Sequence, residues 1–160
     1  RRSEVVGLDR LDVSMTGAGL VVTLRRSKTD QMGVGREIGI PLQPDAECCP
    51  VRALKNWLKV CGAKEGPVFV GVDRHGNMGG RLSGQAVALI IKRAALSAGL
   101  DPAAYAGHSL RSGFATSAAE SGASERAIMD QTGHKSTLMV RKYIRRGSIF
   151  RDNACNVIRM

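Results

Sequence analysis

At 160 residues and 43% hydrophobic side chains, the chain is sized for one folded domain with a core and is too short to expect two. Twenty-four Lys and Arg against fourteen Asp and Glu leave a formal charge of +10, which favours a polyanionic partner: a nucleic acid first, with an anionic membrane surface or ribosomal RNA as alternatives on charge alone. No apolar run approaches the roughly 20 residues of a membrane span, and four cysteines without a C-x-x-C pair argue against zinc and against a disulfide framework, leaving free thiols in a reducing cytosol as the expectation.

In chain order, Arg1-Arg2-Ser3-Glu4 opens the sequence with no secretory signal, which implies further residues upstream of Arg1. Residues 1–8 read as the end of a helix, with Val5 and Leu8 on one face. Residues 20–24 (Leu-Val-Val-Thr-Leu) are a β-rich run, 37–42 an alternating one, and 11–15 a third strand candidate. The basic, glycine-punctuated stretch 25–35 between the first two reads as a hairpin loop carrying Lys28 near its tip, so a small antiparallel sheet is expected early in the chain.

The remainder reads as mostly helical. Pro50 suits a first helical turn, and Val51, Leu54, Trp57, Leu58 and Cys61 form an apolar stripe that Gly62 ends. Residues 68–70 are a short extended piece, followed by a turn over 73–77. Ser83 is an N-cap for a helix through Ile90 and Leu96, with Gly99 as its stop. Asp101-Pro102 opens a loop leading to His108. Helices are then expected at 110–120, 124–132, 137–145 and 149–158, divided by Gly122, Gly133 and Gly147. Trp57 and Phe69 are expected in the core, and His75 on a surface turn. No internal repeat or low-complexity stretch interrupts the pattern.

One set of side chains has the makings of phosphodiester chemistry. Cutting DNA without a metal requires a nucleophile, cationic clamps on the scissile phosphate, and groups that move protons to and from the reacting oxygens. Arginine suits the clamp, because its planar guanidinium donates parallel hydrogen bonds and stays charged. His108-Ser109-Leu110-Arg111 is an H-x-L-R run where a loop becomes a helix, and i, i+3 spacing sets imidazole and guanidinium on one face. Gly133-His134 follows a helix, with Tyr143 nine residues beyond the histidine. Arg1 and Glu4 stand one turn apart, so the carboxylate can brace the arginine.

In this order, R-x-S-E-x-x-x-L, a hairpin lysine, H-x-L-R and G-H followed by a tyrosine resemble the signature of the tyrosine recombinases, the phage integrase family, across nearly the whole chain. The resemblance implies an integrase-type catalytic domain spanning 1–160, mainly α with a small antiparallel β-sheet near the N-terminus (α+β), without the family's upstream DNA-clamping domain. It makes Arg1 and Arg111 the phosphate clamps, Lys28 the general acid for the 5′ oxygen, His108 the handler of the tyrosine proton, His134 a phosphate hydrogen-bond donor and Tyr143 the nucleophile, with Glu4 supporting Arg1. Arg2 competes with Arg1 for its role, and the R-x-S-E spacing favours Arg1.

The implied reaction is site-specific recombination of duplex DNA through a 3′-phosphotyrosine intermediate, without metal, ATP or other cofactor, by tetramers holding two duplexes in the cytoplasm near the nucleoid. Residues 148–160 would form a terminal helix that docks into a neighbouring subunit; packing on its own domain is the plainer reading. Arg25, Arg26, Arg36, Arg141, Lys142 and Arg145 are expected either to contact DNA backbone or to serve solubility. Two rival functions are DNA relaxation of the type IB topoisomerase kind and a DNA-binding regulator that has lost catalysis.

Overall fold

The computed structural model describes residues 1–25, 34–147 and 155, with side chains up to residue 144 in the last of its helices. Its chain divides into two compact units, Arg1–Ile90 and Ile91–Met160.

The first unit begins with helix α1 (Arg2–Gly7) and a 3-10 turn at Arg10–Asp12. Strands β1 (Val13–Met15), β2 (Gly19–Leu24) and β3 (Arg36–Pro41) follow as an antiparallel sheet in the order β1-β2-β3. Val22 of the central strand stands opposite Val13 on one side and Ile38 on the other. Side chains alternate across a strand, and Leu20, Val22 and Leu24 all point into the core, where they meet Cys49 and Val51. Gly19 pairs with Pro41, and a Cβ there would run into the Ile40 carbonyl, so the close strand start requires glycine.

Helix α2 (Pro50–Cys61) starts with proline in its first turn and ends at Gly62, which adopts φ 67° and returns its N–H to the Leu58 carbonyl. Its Leu54 packs against the sheet core, and the Trp57 indole donates to the Val68 carbonyl at 2.7 Å. A second antiparallel hairpin, β4 (Val70–Val72) and β5 (Met78–Arg81), closes around Asp73, whose carboxylate accepts from the backbone of His75 and Asn77. The extended piece and turn were expected; β5 was not. Met78-Gly79-Gly80-Arg81 has neither alternation nor β-branched residues, and all four residues are exposed.

Helix α3 (Gly84–Ser97) opens at Ser83, whose hydroxyl accepts from the Ala86 N–H at 3.1 Å, and the division between the units falls within it. In the second unit, α4 (Ser109–Glu120), α5 (Glu125–Thr132) and α6 (Thr137–Gly147) pack around Ala115, Ala119, Ile128 and Val140. Alanines one turn apart on α4 leave room for the branched side chains of its neighbours. Ser124 caps α5 by accepting from the Ala127 N–H, and Gly133 ends it at φ 66°, where left-handed backbone favours glycine.

The fold is mostly helical with small antiparallel sheets near the N-terminus, as the sequence implies. Among the described residues no helix is long and apolar enough to cross a membrane. The terminal helix expected at 149–158 lies outside the described residues, apart from Cys155.

Candidate active site

The sequence-derived residues fall in both units. In the first, Arg1 and Glu4 meet as expected from their spacing. Arg1 Nη1 donates to Glu4 Oε1 at 2.6 Å, and Glu4 Oε2 accepts from the Arg1 backbone nitrogen at 3.1 Å, so one carboxylate fixes both the side chain and the main chain of Arg1. Burial works to raise the Glu4 carboxyl, while the hydrogen bond and charge of the Arg1 guanidinium work to lower it.

Glu4 lines a cleft of about 440 Å³ together with Asp12, Thr23, Leu24 and Arg25. Arg25 leaves the end of β2 and binds Asp12 through two nitrogens and Asp9 through one, at 2.5–3.1 Å; Arg81 reaches Asp9 from β5 at 2.5 Å. Arg25 therefore has acidic partners within its own unit. Both carboxylates sit below the usual carboxylate range, Asp12 mainly through its bond from Arg25 and Asp9 mainly through its bond from Arg81. Sequence reading missed this network, because Asp9 and Asp12 belong to no motif. Arg36 opens β3 opposite Leu24. Lys28 and Arg26 lie outside the described residues.

The second unit gathers three of the expected residues. His108 is the N-cap of α4, exposed, and Arg111 stands in the first turn of that helix. Gly133 turns the chain sharply after α5, so His134 leaves the helix axis and comes against α4, where Arg111 Nε donates to His134 Nε2 at 3.2 Å. Tyr143 of α6 is half-buried on the helical core, and its ring lies 6.0 Å from the His134 ring, tilted by 41°. Three helices thus bring an arginine, a histidine and a tyrosine to one place.

Thr132 is the contributor that sequence reading passed over. Its buried hydroxyl donates to the Ile128 carbonyl and lies 2.6 Å from His134 Nδ1. Only its position, two residues before the histidine and at the helix end, could have flagged it. Nearby, Arg141 Nε donates to Glu125 Oε2 at 3.1 Å, tying α6 to α5, while Lys142 is exposed. Arg145 belongs to α6, and its side chain lies outside the description.

The model of the phage integrase family matches residues 1–148. An integrase/recombinase XerD homolog from Selenomonas ruminantium is 47% identical over 98% of this chain and 46% of its own length. Tyrosine recombinase XerC of Nitrobacter winogradskyi is 34% identical over 85% of the chain and 38% of its own length. Tyrosine recombinase XerD of Xanthomonas axonopodis pv. citri is 33% identical over 91% and 48%. The chain therefore spans less than half the length of each of these curated relatives. Among solved structures, the XerA recombinase shares the fold, with a TM-score of 0.64 at 24% identity over 90% of this chain and 46% of that one. The chain belongs to the phage integrase family.

Proposed function

We propose that this chain is the catalytic part of a site-specific recombinase that cuts and rejoins duplex DNA through a covalent 3′-phosphotyrosine at Tyr143. The observation that carries the reading is the meeting of Arg111 on α4, His134 just after α5 and Tyr143 on α6, with Arg111 bonded to His134 and the Tyr143 ring 6.0 Å from the His134 ring. A guanidinium and an imidazole beside a phenol can hold a phosphodiester anion while the phenol oxygen attacks phosphorus.

In this reading Arg1 is the second clamp, braced by Glu4. The Tyr143 oxygen forms a bond to phosphorus as the bond to the 5′ oxygen breaks. His108 takes the phenol proton, and Lys28 gives a proton to the leaving oxygen. The phosphotyrosine bond conserves the energy of the broken linkage, so attack by a 5′ hydroxyl restores the DNA without ATP. Assembly as a tetramer on two duplexes, and residence on mobile DNA, belong to the same proposal. The +10 charge supports a DNA partner.

The test is incubation of the full-length protein with nicked duplexes of randomised sequence in EDTA, followed by denaturation in SDS. A DNA adduct that disappears with Tyr143→Phe is expected; cleavage that persists in that variant, or that requires a divalent ion, contradicts the proposal. Exchange of strands between two duplexes, rather than relaxation of one supercoiled circle alone, separates a recombinase from a topoisomerase.

A further inference from the structure

Two contacts of His134 constrain its protonation independently. An arginine has only donors, so the 3.2 Å contact from Arg111 Nε makes His134 Nε2 an acceptor. A threonine hydroxyl has one proton, and that of Thr132 goes to the Ile128 carbonyl at 2.6 Å, one helical turn back. The Thr132 oxygen, 2.6 Å from His134 Nδ1, is then left as an acceptor, and Nδ1 must carry the hydrogen. Both ends of the ring demand the same neutral form, with hydrogen on Nδ1 and a lone pair on Nε2.

We propose that Thr132 is a positioning residue for His134: its hydroxyl, anchored to the Ile128 carbonyl, holds the imidazole in the Nδ1–H form and at the angle that aims Nε2 toward Arg111. Thr132 is 7% exposed at the last position of α5, so water cannot readily replace its hydroxyl, and Gly133 directs His134 back onto it. The anchored oxygen can accept from Nδ1–H both when the ring is neutral and, more strongly, when it is cationic. The Nε2–H neutral form is disfavoured at both ends. His134 can therefore become a hydrogen-bond donor toward a phosphate only by gaining a proton at Nε2, while Nδ1 stays held throughout. The consequence for catalysis rests on the function proposed above; the tautomer itself does not.

The test reads the tautomer directly. Long-range ¹⁵N–¹H correlation spectra of the chain are recorded where the imidazoles are neutral, with His134 assigned by loss of its signals in His134→Gln. Wild type and Thr132→Ser are expected to show a protonated Nδ1 and an unprotonated Nε2. Thr132→Val, nearly equal in volume but without the hydroxyl, leaves the Arg111 contact as the one remaining constraint of the two and is expected to admit the Nε2–H form as a minor population. An Nε2–H form in the wild type overturns the proposal, and that measurement needs no variant to fold. So does a Thr132→Val spectrum in which no Nε2–H population appears beside the wild-type tautomer.

The rate of covalent DNA cleavage is then expected to fall about tenfold in Thr132→Val, on the scale of one lost orienting hydrogen bond, and to recover in Thr132→Ser. A changed tautomer with an unchanged rate overturns the positioning role. No cleavage by the wild type, with the expected tautomers present, overturns the recombinase reading and upholds the tautomer assignment.

Discussion

Arg25 grips the buried carboxylate of Asp12 through two bonds, Nε to Oδ1 at 2.5 Å and Nη2 to Oδ2 at 2.8 Å. The pair ties the end of β2 to the turn before β1, and Arg81 extends it through Asp9 to β5. Asp12→Asn keeps the shape and removes the charge, leaving a neutral acceptor for two strong donors. The thermal midpoint is expected to fall by roughly 5 °C, the size of a weakened charge-assisted pair. Calorimetry that shows no change would deny the network its structural role.

The same network sets an acid limit. Asp9 and Asp12 have folded-state pKa values below their ordinary 3.8, so their contribution is fully present above that ordinary value. It is lost as pH falls through the lower folded values, because the unfolded chain binds protons there first. Thermal midpoints are expected to change little through these groups from pH 7 to about 5 and to drop below about 4. In Asp12→Asn the acid drop is expected to be shallower. An equally steep drop would place the acid sensitivity elsewhere, for example at Asp45 or Asp73, which are also lowered.

Gly133 and Gly122 have positive φ, 66° and 89°, after α5 and α4. Alanine at either position is expected to destabilise the chain by about 1 kcal/mol through the same backbone strain. Only Gly133 delivers the histidine, so Gly133→Ala is expected to reduce DNA cleavage well beyond Gly122→Ala at a temperature where both are folded. Equal losses in the two variants would mean that stability alone decides.

Arg141 is held by Glu125 across an exposed ion pair of 3.1 Å, which contributes little to stability. Glu125→Gln is expected to leave the thermal midpoint nearly unchanged and to tighten non-specific DNA binding by releasing a cation. Arg141→Gln is expected to weaken binding and to reduce the slope of log affinity against log salt by about 1. A salt slope unaltered by Arg141→Gln would remove it from the backbone contacts.

Much of the fold and of the site is legible in the sequence, because several signals are local. Gly62, Gly99 and Gly133 mark helix ends by their left-handed backbone, the β-rich run marks β2, and alternation marks β3. The spacing of Arg1 with Glu4 translates directly into a hydrogen bond. Arg111, His134 and Tyr143 meet because α4, α5 and α6 share one core, which the motif order implies only through the family resemblance. What escaped notice depends on partners distant in sequence or on atoms with no motif. Arg25 looked like a loop cation until Asp12 stood beneath it, and Thr132 looked like an ordinary helix-ending residue until its hydroxyl met His134. β5 is held by backbone pairing with β4, to which its glycine-rich sequence gives no clue.

The central claim is that Tyr143 is the nucleophile. It is tested most directly by digesting the trapped protein–DNA adduct of the full-length protein with protease and nuclease and locating the nucleotide by mass spectrometry. One modified peptide, carrying a 3′-linked nucleotide on Tyr143, and a free 5′ hydroxyl on the released strand are expected. A nucleotide on Tyr105 or on a serine, or a 5′-phosphate linkage, would contradict it.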